Sequence, residues 1–315
     1  MAAPNGADKV MLNELYVVAL WHVRRCLSTP FFMILKKAPC ANCLFLVRAR
    51  RLCYTFFMQK LNRNHLKLIA CATMLVDHIA YVLHLRGAAF IVMRGIIGRI
   101  AFPLFGFLLV EGFFHTRSRW KYVLRIAVLA VLSEVPYDLL FYRQHFYWQN
   151  QNVLFLLALG LLALAGLEYI RAQKQMHFAV AIALQAAVAV AAATIAQLLH
   201  FDYGFAGIAM IVVMYVAKGT VELHRGTVDS SRQSLDESTV PLCNSTVPFA
   251  TSSCVLIGAI ALNLVMFLTA GSATPGALLA VIPALFYNNR RGKIRAKYAF
   301  YLFYPAHILL LLFLS

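Results

Sequence analysis

Residues Leu66–Leu85 read LKLIACATMLVDHIAYVLHL, a run of twenty in which only Lys67, Thr73, Asp77, His78 and His84 carry strongly polar side chains. A helix rises about 1.5 Å per residue, so about 20 mostly apolar residues cross the hydrocarbon core of a bilayer. Comparable runs follow at 89–114, 121–141, 152–171, 177–199, 203–218, 252–270, 273–288 and 299–315, separated by polar breaks. The expected fold is therefore all-α: a polytopic integral membrane helical bundle of about nine transmembrane helices. Composition agrees. Of the 315 residues 62% are apolar and 13% charged, against about 45–50% and about 25% in soluble domains. The net charge of +17 would suggest nucleic acid in a soluble chain. Here the polar surface is too small for that, and the expected partner is the lipid bilayer.

Orientation follows from the placement of Lys and Arg in short loops. One set of alternate loops holds Arg117, Arg119 and Lys121, then Arg171 and Lys174, then Lys218, Arg225 and Arg232, then Arg290, Arg291, Lys293, Arg295 and Lys297. The other set holds only Arg86 and Arg143, while Arg63 and Lys67 precede the first span. The N-terminal side is thus expected in the cytoplasm, with Ser315 on the outer face. The polar stretch 219–250 reads as a cytoplasmic connector. Residues 1–57 are a basic extension of broken apolar stretches, either a surface-associated arm or a segment preceding a working start at Met58. Cys40 and Cys43 form a lone CxxC without a second pair at zinc spacing, so no metal site is expected.

An ionisable side chain near the bilayer centre costs about 2.5–3.5 kcal/mol, so each one needs a reason. Asp77 and His78 lie halfway along the first span, Arg99 in the second, Glu134 in the third and His307 in the last. Five such groups at one depth on four helices suggest a converging polar cavity. The bland alternative is ion pairs that only lock helices together, Asp77–Arg99 or Glu134–Arg94. Glu134 and Asp138, four apart, share a helix face.

These residues lie in strings that resemble the TraX family, bacterial membrane proteins that acetylate pilin. The strings are Leu61 to Ile79, Ile97-Gly98-Arg99-Ile100-Ala101-Phe102-Pro103 through Glu111-Gly112, Ser133-Glu134-Val135-Pro136-Tyr137-Asp138, Asn152-Val153-Leu154-Phe155, Asp202-Tyr203-Gly204, and Tyr301 to His307. They cover residues 58–315 in order. The resemblance implies a multi-pass protein of the bacterial inner membrane that takes acetyl from cytoplasmic acetyl-CoA. The implied acceptor is the N-terminal amine of a membrane-held pilin, as in conjugation. A looser likeness to polytopic membrane acyltransferases, in which an embedded His is catalytic, leaves a cell-envelope sugar or lipid as an alternative acceptor. A secondary transporter with a midplane polar site is the competing class.

Acetyl transfer needs a base and positive help for the carbonyl oxygen. A peptide amine titrates near 7.7–8.0 and a free imidazole near 6.5, so proton transfer to His78 is uphill by only about 2 kcal/mol. The candidate catalytic residues are His78, Asp77, Arg99, Glu134 and His307. Candidates for holding the CoA phosphates are Arg117, Arg119, Arg125, Arg290 and Arg291, on the expected cytoplasmic face. Arg94, Asp138, Asn152, Asp202 and Tyr203 are candidates for binding the acceptor. Direct attack and a covalent acetyl-His intermediate both remain open.

Overall fold

The computed structural model describes residues 61–173, 175–233, 246–271, 274–290, 292 and 297–315. The basic extension at 1–57 and the Met58 start lie outside the described residues. Everything described is helical apart from turns and two isolated bridges. The helices are α1 (Arg63–Val82), α2 (Gly87–Phe114), α3 (Arg119–Tyr142), α4 (Val153–Ala172), α5 (Phe178–Leu198), α6 (Gly204–Gln233), α7 (Thr246–Ala270), α8 (Pro275–Leu285) and α9 (Lys297–Leu314). Among the described residues, α1, α2, α4, α5 and the 251–269 part of α7 are long and apolar enough to cross a membrane. The apolar part of α6, α8 and α9 are shorter.

Local chemistry sets the helix ends. The α1 helix starts ahead of the apolar run because Asn62 accepts from the Asn64 and His65 amides while His65 reaches back to the Asn62 amide. It stops where His84 and Gly87 take positive φ. Asn152 caps α4 by accepting from the Leu154 amide. The α6 helix runs on to Gln233, so the first part of the segment read as a connector from residue 219 is helical. No proline interrupts it there.

Two backbone clasps tie the bundle. At one end Leu61 pairs with Phe286 and Asn288, and the Arg63 amide donates to the Arg290 carbonyl. At the other, the Gln151 amide donates to His200 and the Asp202 amide to Gln151, which sets the start of α6 beside the start of α4. Within the bundle α3 packs on α4 and α9, α6 on α7 and α5, and α1 on α2. Large apolar side chains cover the outside; α5 buries only Ala192 and Ala196. A soluble protein would not expose such a face.

The expected uniform helix at 89–114 is not uniform. It widens to a π-helix over Ile91–Ile97 and tightens to a 3₁₀ turn over Gly98–Ile100 before resuming as α-helix. Pro103 has no N–H for the Arg99 carbonyl, so the regular ladder cannot pass this point. The first turn of α8 lies directly on the widened segment. A β-carbon at Gly276 would sit 2.5 Å from the carbonyl oxygens of Gly95 and Ile96. Only glycine allows that approach.

Candidate functional site

Two buried histidines from opposite ends of the chain meet at the centre. His78 of α1 and His307 of α9 stand 2.8 Å apart, Nδ1 to Nε2. The other nitrogen of His307, Nδ1, is 2.8 Å from the Phe303 carbonyl oxygen one turn back. A carbonyl only accepts, so in the neutral pair His307 carries its proton on Nδ1 and presents a lone pair on Nε2. His78 must then donate from Nδ1, which leaves its Nε2 unprotonated. Phe141 meets the His78 ring edge-on at 5.1 Å, and Phe303 stacks on His307 at 4.8 Å.

His78 lines a cavity of about 270 Å³. Its charged walls are Asp77, Asp202, Arg94 and Arg99, two of each sign. The Arg94 Nε is 3.9 Å from an Asp77 oxygen, and its guanidinium lies 5.1 Å over the Tyr81 ring. Arg99 donates to the Tyr203 hydroxyl at 3.0 Å. Tyr203 stacks on Phe102 at 3.9 Å and holds a left-handed backbone, φ 65°. Strain of that kind persists only where surrounding contacts over-determine it. Asp202 sits in the turn ahead of α6; burial pushes its carboxyl up to about 6, with Arg99 pulling it back. Gly98 makes room for Asp77, since a β-carbon there would lie 2.6 Å from the Asp77 Cβ. Met74, Phe105 and Leu157 supply apolar wall.

Of the residues expected to form the site, the structure thus gathers Asp77, His78, Arg94, Arg99, Asp202 and Tyr203 around the cavity, with His307 directly behind His78. It takes three others out. Asn152 donates to Glu134 from both its side chain and its backbone amide, and to the Ala130 carbonyl at 2.9 Å. Asp138 accepts from the Tyr147 amide at 2.8 Å. Glu134 and Asp138 do share a face, but α3 turns that face toward the chain entering α4 rather than toward the cavity. Residues not singled out beforehand, Tyr81, Tyr137, Tyr142, Asn150 and Tyr304, complete the polar wall. The signal available was position alone: Tyr137 and Tyr304 lie within the family-like strings.

At the opposite end of the bundle Glu111, fully buried, pairs with Arg63 at 2.7 Å and with Lys218, with His115 at 3.7 Å. Nothing in the sequence linked these three helices. The arginines considered for CoA phosphates do not line the cavity. Arg117 and Arg290 are exposed, Arg119 is 3.7 Å from Glu168 and over the Phe113 ring, and Arg125 lies over Tyr122. Arg291 lies outside the described residues. Among the described residues no group of three or more His, Cys, Asp or Glu is placed to hold a metal.

A family model described as TraX protein matches residues 62–226 and 242–315. The gap between the two matched parts falls inside the polar 219–250 segment. The probable fimbrial assembly protein FimC, serogroup H1, of Dichelobacter nodosus is 30% identical over 263 residues, covering 78% of this chain and 92% of that protein. No solved structure matches.

Proposed function

This chain belongs to the TraX family, and from that premise we propose that it is a membrane-embedded acetyltransferase. It moves acetyl from cytoplasmic acetyl-CoA to an acceptor amine, the N-terminus of a membrane-held pilin. The fimbrial-assembly name of the relative supports a pilin-type acceptor. In this reading the protein sits in the bacterial inner membrane with about nine spans. Its N-terminal side is cytoplasmic and its C-terminus lies on the outer face, as the loop charges require.

The observation that carries the proposal is the hydrogen-bond chain ending at His78, a cavity-wall residue left with one unprotonated imidazole nitrogen, beside a cavity that also holds two guanidinium groups. An amine attacking a thioester needs those two provisions. As the C–N bond forms, His78 Nε2 takes the amine proton. Arg99, held by Tyr203, and Arg94, held by Asp77 and the Tyr81 ring, face the negative charge that develops on the carbonyl oxygen. Collapse of the tetrahedral adduct breaks the C–S bond and releases CoA thiolate, which recovers a proton from His78. Arg117, Arg119, Arg125 and Arg290 serve the CoA phosphates on the cytoplasmic face.

The test is acetyl transfer from labelled acetyl-CoA to a peptide bearing a pilin-like N-terminus, with protein reconstituted in nanodiscs. His78→Ala is expected to abolish transfer while the protein still inserts and melts as the wild type does. Full transfer by that variant refutes the role of His78. Transfer to a sugar or lipid instead of the amine refutes the acceptor.

A further inference from the structure

His307 is not part of the cavity wall, yet two of its direct contacts favour a ring that carries positive charge. Its Nδ1–H is held by the Phe303 carbonyl at 2.8 Å, an acceptor that strengthens when the ring is cationic. The Phe303 ring lies parallel beneath it, 4.8 Å between centroids and 12° between planes, so its electron-rich face meets the imidazole. Its remaining nitrogen is 2.8 Å from His78 Nδ1. His78 has the reverse surroundings, for Arg94 and Arg99 share its cavity. A full charge left on His78 would share the cavity with two guanidinium groups and with the carboxylates of Asp77 and Asp202. Tyr81, Tyr137 and Tyr304 line the same cavity from α1, α3 and α9.

We propose that His78 and His307 act as one two-ring base, in which His307 shares the proton that His78 takes from the acceptor. When Nε2 of His78 gains a proton, the Nδ1 proton of His78 passes to Nε2 of His307. His78 is then neutral and His307 is the imidazolium, with both of its N–H groups hydrogen-bonded. The reverse shift returns a proton from His307 Nε2 to His78 Nδ1 as His78 Nε2 gives its own to the leaving thiolate, so the pair ends as it began. No electron pair is oxidised or reduced. His307 is a positioning residue by this reading, because it acts through His78. The inference rests on the acetyl-transfer reading for its chemistry and on the pair's geometry for its existence.

The experiment has two arms. In the first, His307→Gln keeps an amide oxygen able to accept from His78 Nδ1 but unable to take its proton. The expected result is a fall in kcat of about 10²-fold with KM unchanged. The dependence of wild-type kcat on the deuterium content of the solvent is expected to be curved, as for two protons in motion, and to become linear in the variant. Wild-type kcat in a folded His307→Gln protein overturns the proposal. In the second, histidine nitrogens are isotope-labelled and followed by magnetic resonance during acidification of the wild-type protein in bilayers. Uptake of one proton is expected to move the His307 Nε2 signal together with the signals of His78. Protonation that changes His78 alone overturns the proposal, whether or not any acetyl is transferred. A protein that shares the proton but transfers no acetyl refutes the acetyl-transfer reading and leaves the two-ring base standing.

Discussion

Replacing Glu111 with glutamine tests how the end of the bundle opposite the histidine cavity is held. The carboxylate is fully buried and accepts Arg63 of α1 at 2.7 Å on one oxygen and Lys218 of α6 on the other. The side chains of Arg63 and Lys218 are 15% and 8% exposed. Glutamine keeps the volume but removes the charge, so two buried cations lose the carboxylate that neutralised both. Removing one partner of a buried pair costs about 3–5 kcal/mol. Both cations carry long apolar stems that can lift the charged ends toward the membrane surface, which draws the value to the lower limit, about 3 kcal/mol. The assay is reversible unfolding in mixed micelles, followed by helix signal. Adding Lys218→Met to Glu111→Gln removes one of the two buried cations and is expected to recover at least half of the loss. A single variant within about 1 kcal/mol of wild type, a threshold set by the worth of an exposed ion pair, refutes the description of this cluster as a dry clamp. So does a double variant no more stable than the single one.

Asn152→Ala removes the α4 cap and the side-chain donor to Glu134 and the Ala130 carbonyl, and leaves Glu134 only the backbone amide of residue 152. The cap alone is worth about 1 kcal/mol and the lost side-chain hydrogen bond to the buried carboxylate adds to it, so a loss of about 2 kcal/mol is expected in the same unfolding assay. Most of that loss should return on adding Glu134→Gln. Gly98→Ala drives a β-carbon into Asp77; such overpacking costs about 1–3 kcal/mol, and acetyl transfer by the folded variant is expected to fall more than about tenfold, since small misplacements at a reacting centre are costly. Unchanged transfer would show that the position of Asp77 against α2 does not matter.

Much of the helical layout is legible in the sequence. The apolar runs at 66–85, 121–141, 152–171 and 177–199 reappear as helices shifted by a few residues, because hydropathy is a local property. The shifts have local causes as well, such as the Asn62–His65 capping box. The irregular α2 is less legible, although Pro103 marks where the ladder breaks. The site is only half legible. Depth along each span brings Asp77, His78, Arg99 and His307 to one level, but it assigns Glu134 to the same level with equal force. The rotation of α3 turns Glu134 toward Asn152 instead. Rotation depends on the packing of α3 against α4 and α9, which no window of sequence contains.

Composition, loop charge and the family-like strings determined that this is a membrane helical protein of the TraX family and which polar side chains lie within its helices. Each of those conclusions needs only the order of residues along one helix or loop. The tertiary structure decided which polar groups meet: His78 with His307 across 229 positions, Arg99 with Tyr203, and Glu111 with Arg63 and Lys218. It also decided that Glu134 and Asp138 belong to a helix junction. The reason is geometric. Successive residues on a helix point about 100° apart, so a side chain's depth follows from its number, whereas its direction follows from the neighbours its helix packs against.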